Sequence, residues 1–281
     1  MTRTTPPPAA SRSPGPPSDA WLDVAIAAAR AAAAVAREAA GATRAKWESK
    51  GHSDWVSEVD RRAEAAAVAA IRRRFPEHAI VAEEADWGGP APEAAPAVWY
   101  VDPLDGTTNF LHGYPVYAVS VAVSDAEGLR AAAVVNPTRD ETFTASRGGG
   151  ARLNGSRISV SEITEPKHAL VGTGFPFKAL DVVDDYLVQF RELLPRTSGI
   201  RRTGAAAIDL CDVACGRFDG FWELRLEAWD IAAGALIVRE AGGVITDLEG
   251  RRDVVRRTGI VAGNPAVHSF LLETIERLRS A

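Results

Sequence analysis

Residues 97–101 form a short apolar run that leads straight into Asp102-Pro103-Leu104-Asp105-Gly106-Thr107-Thr108-Asn109. This junction constrains the fold more than any other stretch of the 281 residues. A strand that delivers two carboxylates at its end is typical of sites in α/β proteins, where strand ends open onto a crevice. Pro103 fixes the backbone between the acids, and Gly106 allows a dihedral or a close approach that other residues resist. Thr107-Thr108 can open a helix whose first N–H groups have no intrahelical acceptor.

The segments on either side supply the layers. Residues 21–41 have helical composition with Gly41 as a stop, and residues 59–75 predict a second helix ended by Pro76. Residues 79–82 read as a strand ending in Glu83-Glu84. β-rich segments at 117–123 and 129–135 flank a turn at 125–128 and predict a hairpin, with 141–145 extending the meander. Helices are expected over 186–194, 205–214, 231–241 and 266–279, and strands over 220–224 and 244–246. The pattern is a layered α/β or α+β chain with no internal repeat and no linker after residue 18. The expected organisation is a disordered Pro-rich tail over 1–18 and one domain over 19–281.

Charge and cysteine usage narrow the function classes. Lys and Arg total 32 against 37 Asp and Glu, a net charge of −5, so no basic face announces a nucleic-acid partner. The Ala-rich run at 25–40 is broken by Arg30, Arg37 and Glu38 before the roughly 20 apolar residues a bilayer span needs. No membrane association and a cytoplasmic location are therefore expected. Cys211 and Cys215 are the only cysteines and read as reduced thiols of a helix.

The chemistry-bearing acids are Asp102, Asp105, the pair Glu83-Glu84, and Asp230 at the start of the helix after Trp229. All are oxygen donors, which favours Mg²⁺, with Mn²⁺ as a substitute, over zinc. Taken singly, Asp-Pro-x-Asp-Gly is a common turn and a glutamate pair is a solvated strand end. Together with a helix start that can face an anion, they point to a metal beside a phosphate. Two rival motifs fail on context. Cys211-x5-Arg217 has the spacing of a cysteine phosphatase, but it lies in a helix without a glycine-rich cradle. Gly148-Gly149-Gly150, with Asn154-Gly155 nearby, indicates plain turn chemistry. The five histidines form no paired spacing.

Residues 102–109 resemble the first signature of the inositol monophosphatase family, and 229–243, ending Glu240-Ala241-Gly242-Gly243, resembles the second. The glutamate pair, residues 54–60 and Gly204-Ala205-Ala206 also match. Ala82 and Ser57 depart from the commonest pattern without removing a ligand. The resemblance implies an αβαβα sandwich of the sugar-phosphatase type and a lithium-sensitive, Mg²⁺-dependent phosphatase with two or three ions, acting as a homodimer. It implies that Glu83, Asp102 and the Leu104 carbonyl hold one ion and that Asp102, Asp105 and Asp230 hold another. Asp60 and Thr107, with Glu83, would position and deprotonate the attacking water. Gly106 and Thr107 N–H groups would bind phosphate, while Ala205, Ala206, Glu223 and Asp230 would border the substrate, a small phosphorylated polyol. Inositol 1-phosphate is the substrate the resemblance favours. Histidinol phosphate or fructose 1,6-bisphosphate are alternatives on the same scaffold, as is a regulatory protein that retains the fold. Residues 224–228, with Arg225 and Glu227, bear on that selectivity.

Overall fold

The computed structural model describes residues 19–40, 47–51 and 54–279. The expected tail, Gly41 and His52 lie outside them. Helix α1 (Ala20–Ala39) is capped by Asp19, whose carboxylate accepts from Trp21 N at 3.1 Å. It turns a stripe of Ala25, Ala28, Ala29, Ala32, Ala33 and Ala36 inward, all nearly inaccessible to solvent. Small side chains at i, i+3, i+4 and i+7 let it lie close against its neighbours. A hairpin of β1 (Trp47–Gly51) and β2 (Asp54–Ser57) leads into α2 (Glu58–Arg72).

Strands β3 (Ala79–Ala82), β4 (Val98–Asp105), β5 (Ala118–Asp125), β6 (Gly128–Asn136), β7 (Glu141–Ser146), β8 (Gly150–Leu153) and β9 (Ser156–Arg157) form a seven-stranded sheet in chain order. Only β3 and β4 are parallel; the rest is the expected meander. The two-residue pleat decides which core each side chain enters. Val119, Val121 and Val123 face α1 and α2, whereas Ala118 and Ala122 face the opposite layer.

After β4 comes the one-turn helix α3 (Thr107–Leu111). The second half contributes β10 (Leu170–Thr173), α4 (Val183–Leu193), β11 (Gly199–Arg201), α5 (Ala206–Ala214), β12 (Gly220–Leu226), α6 (Ala228–Glu240), β13 (Val244–Asp247), β14 (Thr258–Gly263) and α7 (Pro265–Arg279). Its five strands form a mixed sheet in the order β11-β10-β12-β14-β13. Helices α5 and α6 fill the space between the sheets, and their Ile208, Leu210, Ile231 and Ile237 join one core with Phe143 of β7 and Phe221 of β12. Helices α4 and α7 cover the outer face around Trp222 and Leu271. The layers are therefore α1/α2, sheet, α5/α6, sheet, α4/α7, the αβαβα order the sequence led us to expect.

The strand before the acidic motif does not stop at Val101. β4 continues to Asp105, with a break in register between Asp102 and Asp105 opposite β5. Pro103 has no N–H to give the ladder and is tolerated in this irregular stretch. Both acids thus belong to one sheet strand rather than to a loop beyond it.

Gly234 of α6 is a packing residue. A Cβ there would lie 2.4 Å from Leu210 Cδ1 and 2.6 Å from Leu210 Cβ. Alanine gains about 1 kcal/mol of helix propensity over glycine. Overlap with another residue's Cβ cannot be relieved by changing rotamer, and overpacking costs about 1–3 kcal/mol. Gly234→Ala is expected to lower the urea midpoint with an unchanged slope, because α5 is pushed off α6.

Candidate active site

A cavity of about 530 Å³ opens where the carboxyl end of β4 meets the starts of α3, α5 and α6. Seven acidic and four basic side chains border it, so the walls carry an excess of negative charge that burial makes costly.

Asp102 is 1 % exposed, and its Oδ1 accepts from Leu104 N at 3.0 Å. Burial, then repulsion from Glu83, Asp105 and Asp230, raises its carboxyl well above the ordinary range. Asp105 is pushed up to about 7 by burial and by Asp230, although it accepts from Ala207 N at 2.7 Å at the start of α5. That contact makes Asp105 an external cap for a helix with no side-chain cap of its own. Asp230, third residue of α6, accepts from Glu227 N at 2.8 Å in a capping box. It is raised to about 6 by burial, against the opposing pull of that N–H, Lys178 and a hydrogen bond with Asp102. Two carboxyl groups within hydrogen-bonding distance must share a proton unless a cation takes its place.

Glu83 closes the group from the end of β3, with Lys178 Nζ 3.9 Å from its Oε1. Among the described residues, no group of three His, Cys, Asp or Glu side chains is placed so that it could hold an ion as it stands. The donor set nevertheless suits a hard divalent cation. It consists of carboxylates on one cavity wall that burial, and then mutual repulsion at Asp102 and Asp105, makes costly to ionise without a cation, with the Leu104 carbonyl beside them.

Asp60 is fully buried as the third residue of α2, where its Oδ2 accepts from Ser57 N at 2.8 Å and from Ser57 Oγ at 2.5 Å. Its other oxygen lies 3.1 Å from Thr107 Oγ1, which is also 3.0 Å from the Leu104 carbonyl oxygen. One oxygen thus closes the capping box of α2 while the other meets the threonine hydroxyl. Thr107 lines the cavity and Asp60 stands behind it, so Asp60 reaches the cavity through the threonine hydroxyl.

Gly106 caps α3 at φ 90°, a left-handed conformation in which a Cβ would meet Val116 O at 3.0 Å. Ala205 and Ala206 form the buried start of α5 across from it. Asn109 ties the motif to that loop, donating to Val116 O at 2.7 Å and Thr203 O at 2.9 Å. Glu223 lies on the cavity wall, raised to about 8 by burial and then by Asp230 and Asp105. Arg225 and Glu227 border the cavity too, but Arg225 pairs with Asp181 at 2.9 Å and Glu227 with Arg257 at 3.1 Å.

Sequence reasoning gave no site role to Asp209, Lys178 and Arg202 of the wall, nor to Gly174 and Arg257. Asp209 is held by Thr203 Oγ1 at 2.7 Å and raised by burial; its place, with Asp212, in a largely apolar helix was the available signal. Lys178 and Arg202 had none, since both come from irregular segments. Arg202 sits over the rings of Phe175 and Phe177, 5.5 Å and 5.2 Å from their centroids. The rejected motifs are accounted for. Cys211 is fully buried with its thiol pushed up by desolvation. The Gly148–Gly150 turn holds the Glu240 carboxylate, with N–H donors of Gly148 and Gly150 at 2.8 Å. No described histidine lines the cavity.

The alternating layers place the chain in the sugar-phosphatase class of folds. The profile of the inositol monophosphatase family matches residues 18–280, and the chain belongs to that family, one of metal-dependent phosphatases. It is 50 % identical over 229 residues to the Nus factor SuhB of Pseudomonas aeruginosa, covering 81 % of this chain and 84 % of that protein. It is 42 % identical over 232 residues to the inositol-1-monophosphatase of Mesorhizobium japonicum, covering 83 % and 86 %. Among solved structures, the extragenic suppressor protein SuhB of Bartonella henselae superposes with a TM-score of 0.86 at 40 % identity, covering 92 % of this chain and 99 % of that one. Among the described residues, no helix is long and apolar enough to cross a membrane.

Proposed function

We propose that this protein hydrolyses a small phosphate monoester of a polyol, inositol 1-phosphate foremost, with Mg²⁺ as cofactor and Mn²⁺ as a substitute. The observation that carries the reading is the hydrogen bond between Thr107 Oγ1 and Asp60, formed on the same cavity wall as Asp102 and Asp105. Thr107 of the eight-residue motif then joins a buried proton acceptor, Asp60, to the motif's own two acids. Glu83, Asp102 and the Leu104 carbonyl would hold one ion, and Asp102, Asp105 and Asp230 another. Bound there, the cations would neutralise phosphate charge and make water acidic enough to attack near neutral pH.

The chain's own residues do the rest. Thr107 Oγ1 accepts a hydrogen from the attacking water and passes its own to Asp60 Oδ1, with Glu83 helping to orient that water. Attack on phosphorus breaks the ester P–O bond, and the alcohol oxygen leaves with the electron pair and takes a proton from solvent water. N–H groups of Gly106 and Thr107, which lack intrahelical acceptors, bind phosphate oxygens. Glu223, Asp230 and the Ala205-Ala206 backbone face the alcohol. Phosphoryl transfer needs little more than such positioning and charge neutralisation.

We take residues 19–281 as one catalytic unit, since α5 and α6 pack against both sheets, and expect a cytoplasmic homodimer inhibited by lithium. Phosphate release from inositol 1-phosphate, histidinol phosphate, fructose 1,6-bisphosphate and phosphoadenosine phosphate tests the substrate. A preference of tenfold or more for inositol 1-phosphate, about 1.4 kcal/mol, is expected; the same preference for another ester would move the assignment to it. A second reading rests on the relative at 50 % identity that bears the name Nus factor: a role exercised through the protein surface. Rescue of a deletion strain by the catalytically dead Asp102→Asn variant would favour that role, and failure to rescue would favour catalysis.

A further inference from the structure

Gly174 follows the last residue of β10. In the parallel ladder Thr173 lies opposite Trp222, so Gly174 comes beside Glu223 on β12. A Cβ built on Gly174 would fall 2.0 Å from Glu223 Cδ and 2.1 Å from each carboxyl oxygen. Three such similar distances mean that the carboxyl group lies flat against the glycine, filling the space any side chain would need. The backbone does not require glycine here, because φ at Gly174 is outside the left-handed region. The reason for a glycine is therefore room.

Both residues line the cavity. The groups acting on the Glu223 carboxyl at longer range are charges: Asp230 and Asp105 repel it, and Arg202 and Lys178 attract it. Those forces set a general direction, and the slot over Gly174 sets the position. We infer that Gly174 is a specificity-determining positioning residue, whose missing side chain seats Glu223 where it can accept hydrogen bonds from the hydroxyls of the substrate's alcohol. The inference rests on the polyol phosphatase reading above.

Because the colliding atoms are the free end of a flexible side chain, Gly174→Ala should displace the carboxyl and leave the fold alone. In the full-length protein with Mg²⁺, KM for inositol 1-phosphate is expected to rise about tenfold or more, the effect of losing a hydrogen bond to a charged group. p-Nitrophenyl phosphate, which has no hydroxyls to recognise, should be turned over within about twofold of the unaltered rate, and the melting temperature should hold. Glu223→Ala should raise KM for inositol 1-phosphate at least as far. The double variant should be no worse than Glu223→Ala alone, since the slot is then empty. An unchanged KM in Gly174→Ala, an equal loss on p-nitrophenyl phosphate, or additive losses in the double variant would each overturn the assignment by itself. No turnover of any phosphorylated polyol by the unaltered protein would overturn the reading of the site and the assignment with it.

Discussion

Asp102→Asn is expected to lower phosphate release about a thousandfold or more while leaving the cation-free protein at least as stable as before. The two effects have one cause. Asp102 is the acid shared by both proposed cation sites, and several kcal/mol of transition-state charge stabilisation depend on the ions it would hold. In the cation-free fold the same carboxyl is a liability, buried and repelled by Glu83, Asp105 and Asp230. Asparagine keeps the acceptor for Leu104 N–H and can donate to Asp230, so it relieves repulsion without leaving a buried orphan. A variant that loses activity because it unfolds would contradict this. Thermal melting in chelator alongside the assay separates the cases.

The second large effect is on stability against pH. Without divalent cations, Asp105 is held near 7 and Glu223 near 8, whereas both titrate near 4 in an unfolded chain. Between pH 6.5 and 8.5 the folded state releases protons that the unfolded state has already lost, so stability falls as pH rises. The buried histidines act the other way but lower down. His268 is depressed to about 4 and His78 is also lowered, so their contribution grows only up to about pH 6.5. Asp125 and Asp247 are held below their ordinary value by arginines and matter only in acid. In chelator, a drop in melting temperature of about 5 °C or more from pH 6.5 to 8.5 is expected. Excess Mg²⁺ should abolish most of it, because a cation bound only to the folded state replaces the protons. A melting temperature that rises over this interval in chelator would contradict the arrangement of these acids.

Much of this could be read from the chain because the motif is local. Asp102, Asp105, Gly106 and Thr107 lie within six residues, and the apolar run before them fixes which end of the strand they occupy. The turn between two β-rich segments gave the hairpin, and in the fold its valines and alanines on opposite faces enter different cores. Where the reading fell short, long-range packing decided. The apolar run ends at Val101, yet β5 holds β4 in register past the irregular stretch to Asp105. The β1–β2 hairpin and the mixed order of the second sheet had no local pattern to announce them. Lys178 and Arg202 reach the cavity from segments without periodicity, and only the pairing of β10 with β11 and β12 brings them there. Gly174 has no signal at all in one dimension, because its reason is the carboxyl of a residue 49 positions away.

The most direct test of the central claim is the rate of phosphate release from inositol 1-phosphate by protein stripped with chelator, then titrated with Mg²⁺. Release that is lost on stripping, restored by Mg²⁺ and restored in part by Mn²⁺ is the predicted result. Release that persists at its full rate without divalent cation, or that no concentration of Mg²⁺ brings about in the folded protein, would contradict it.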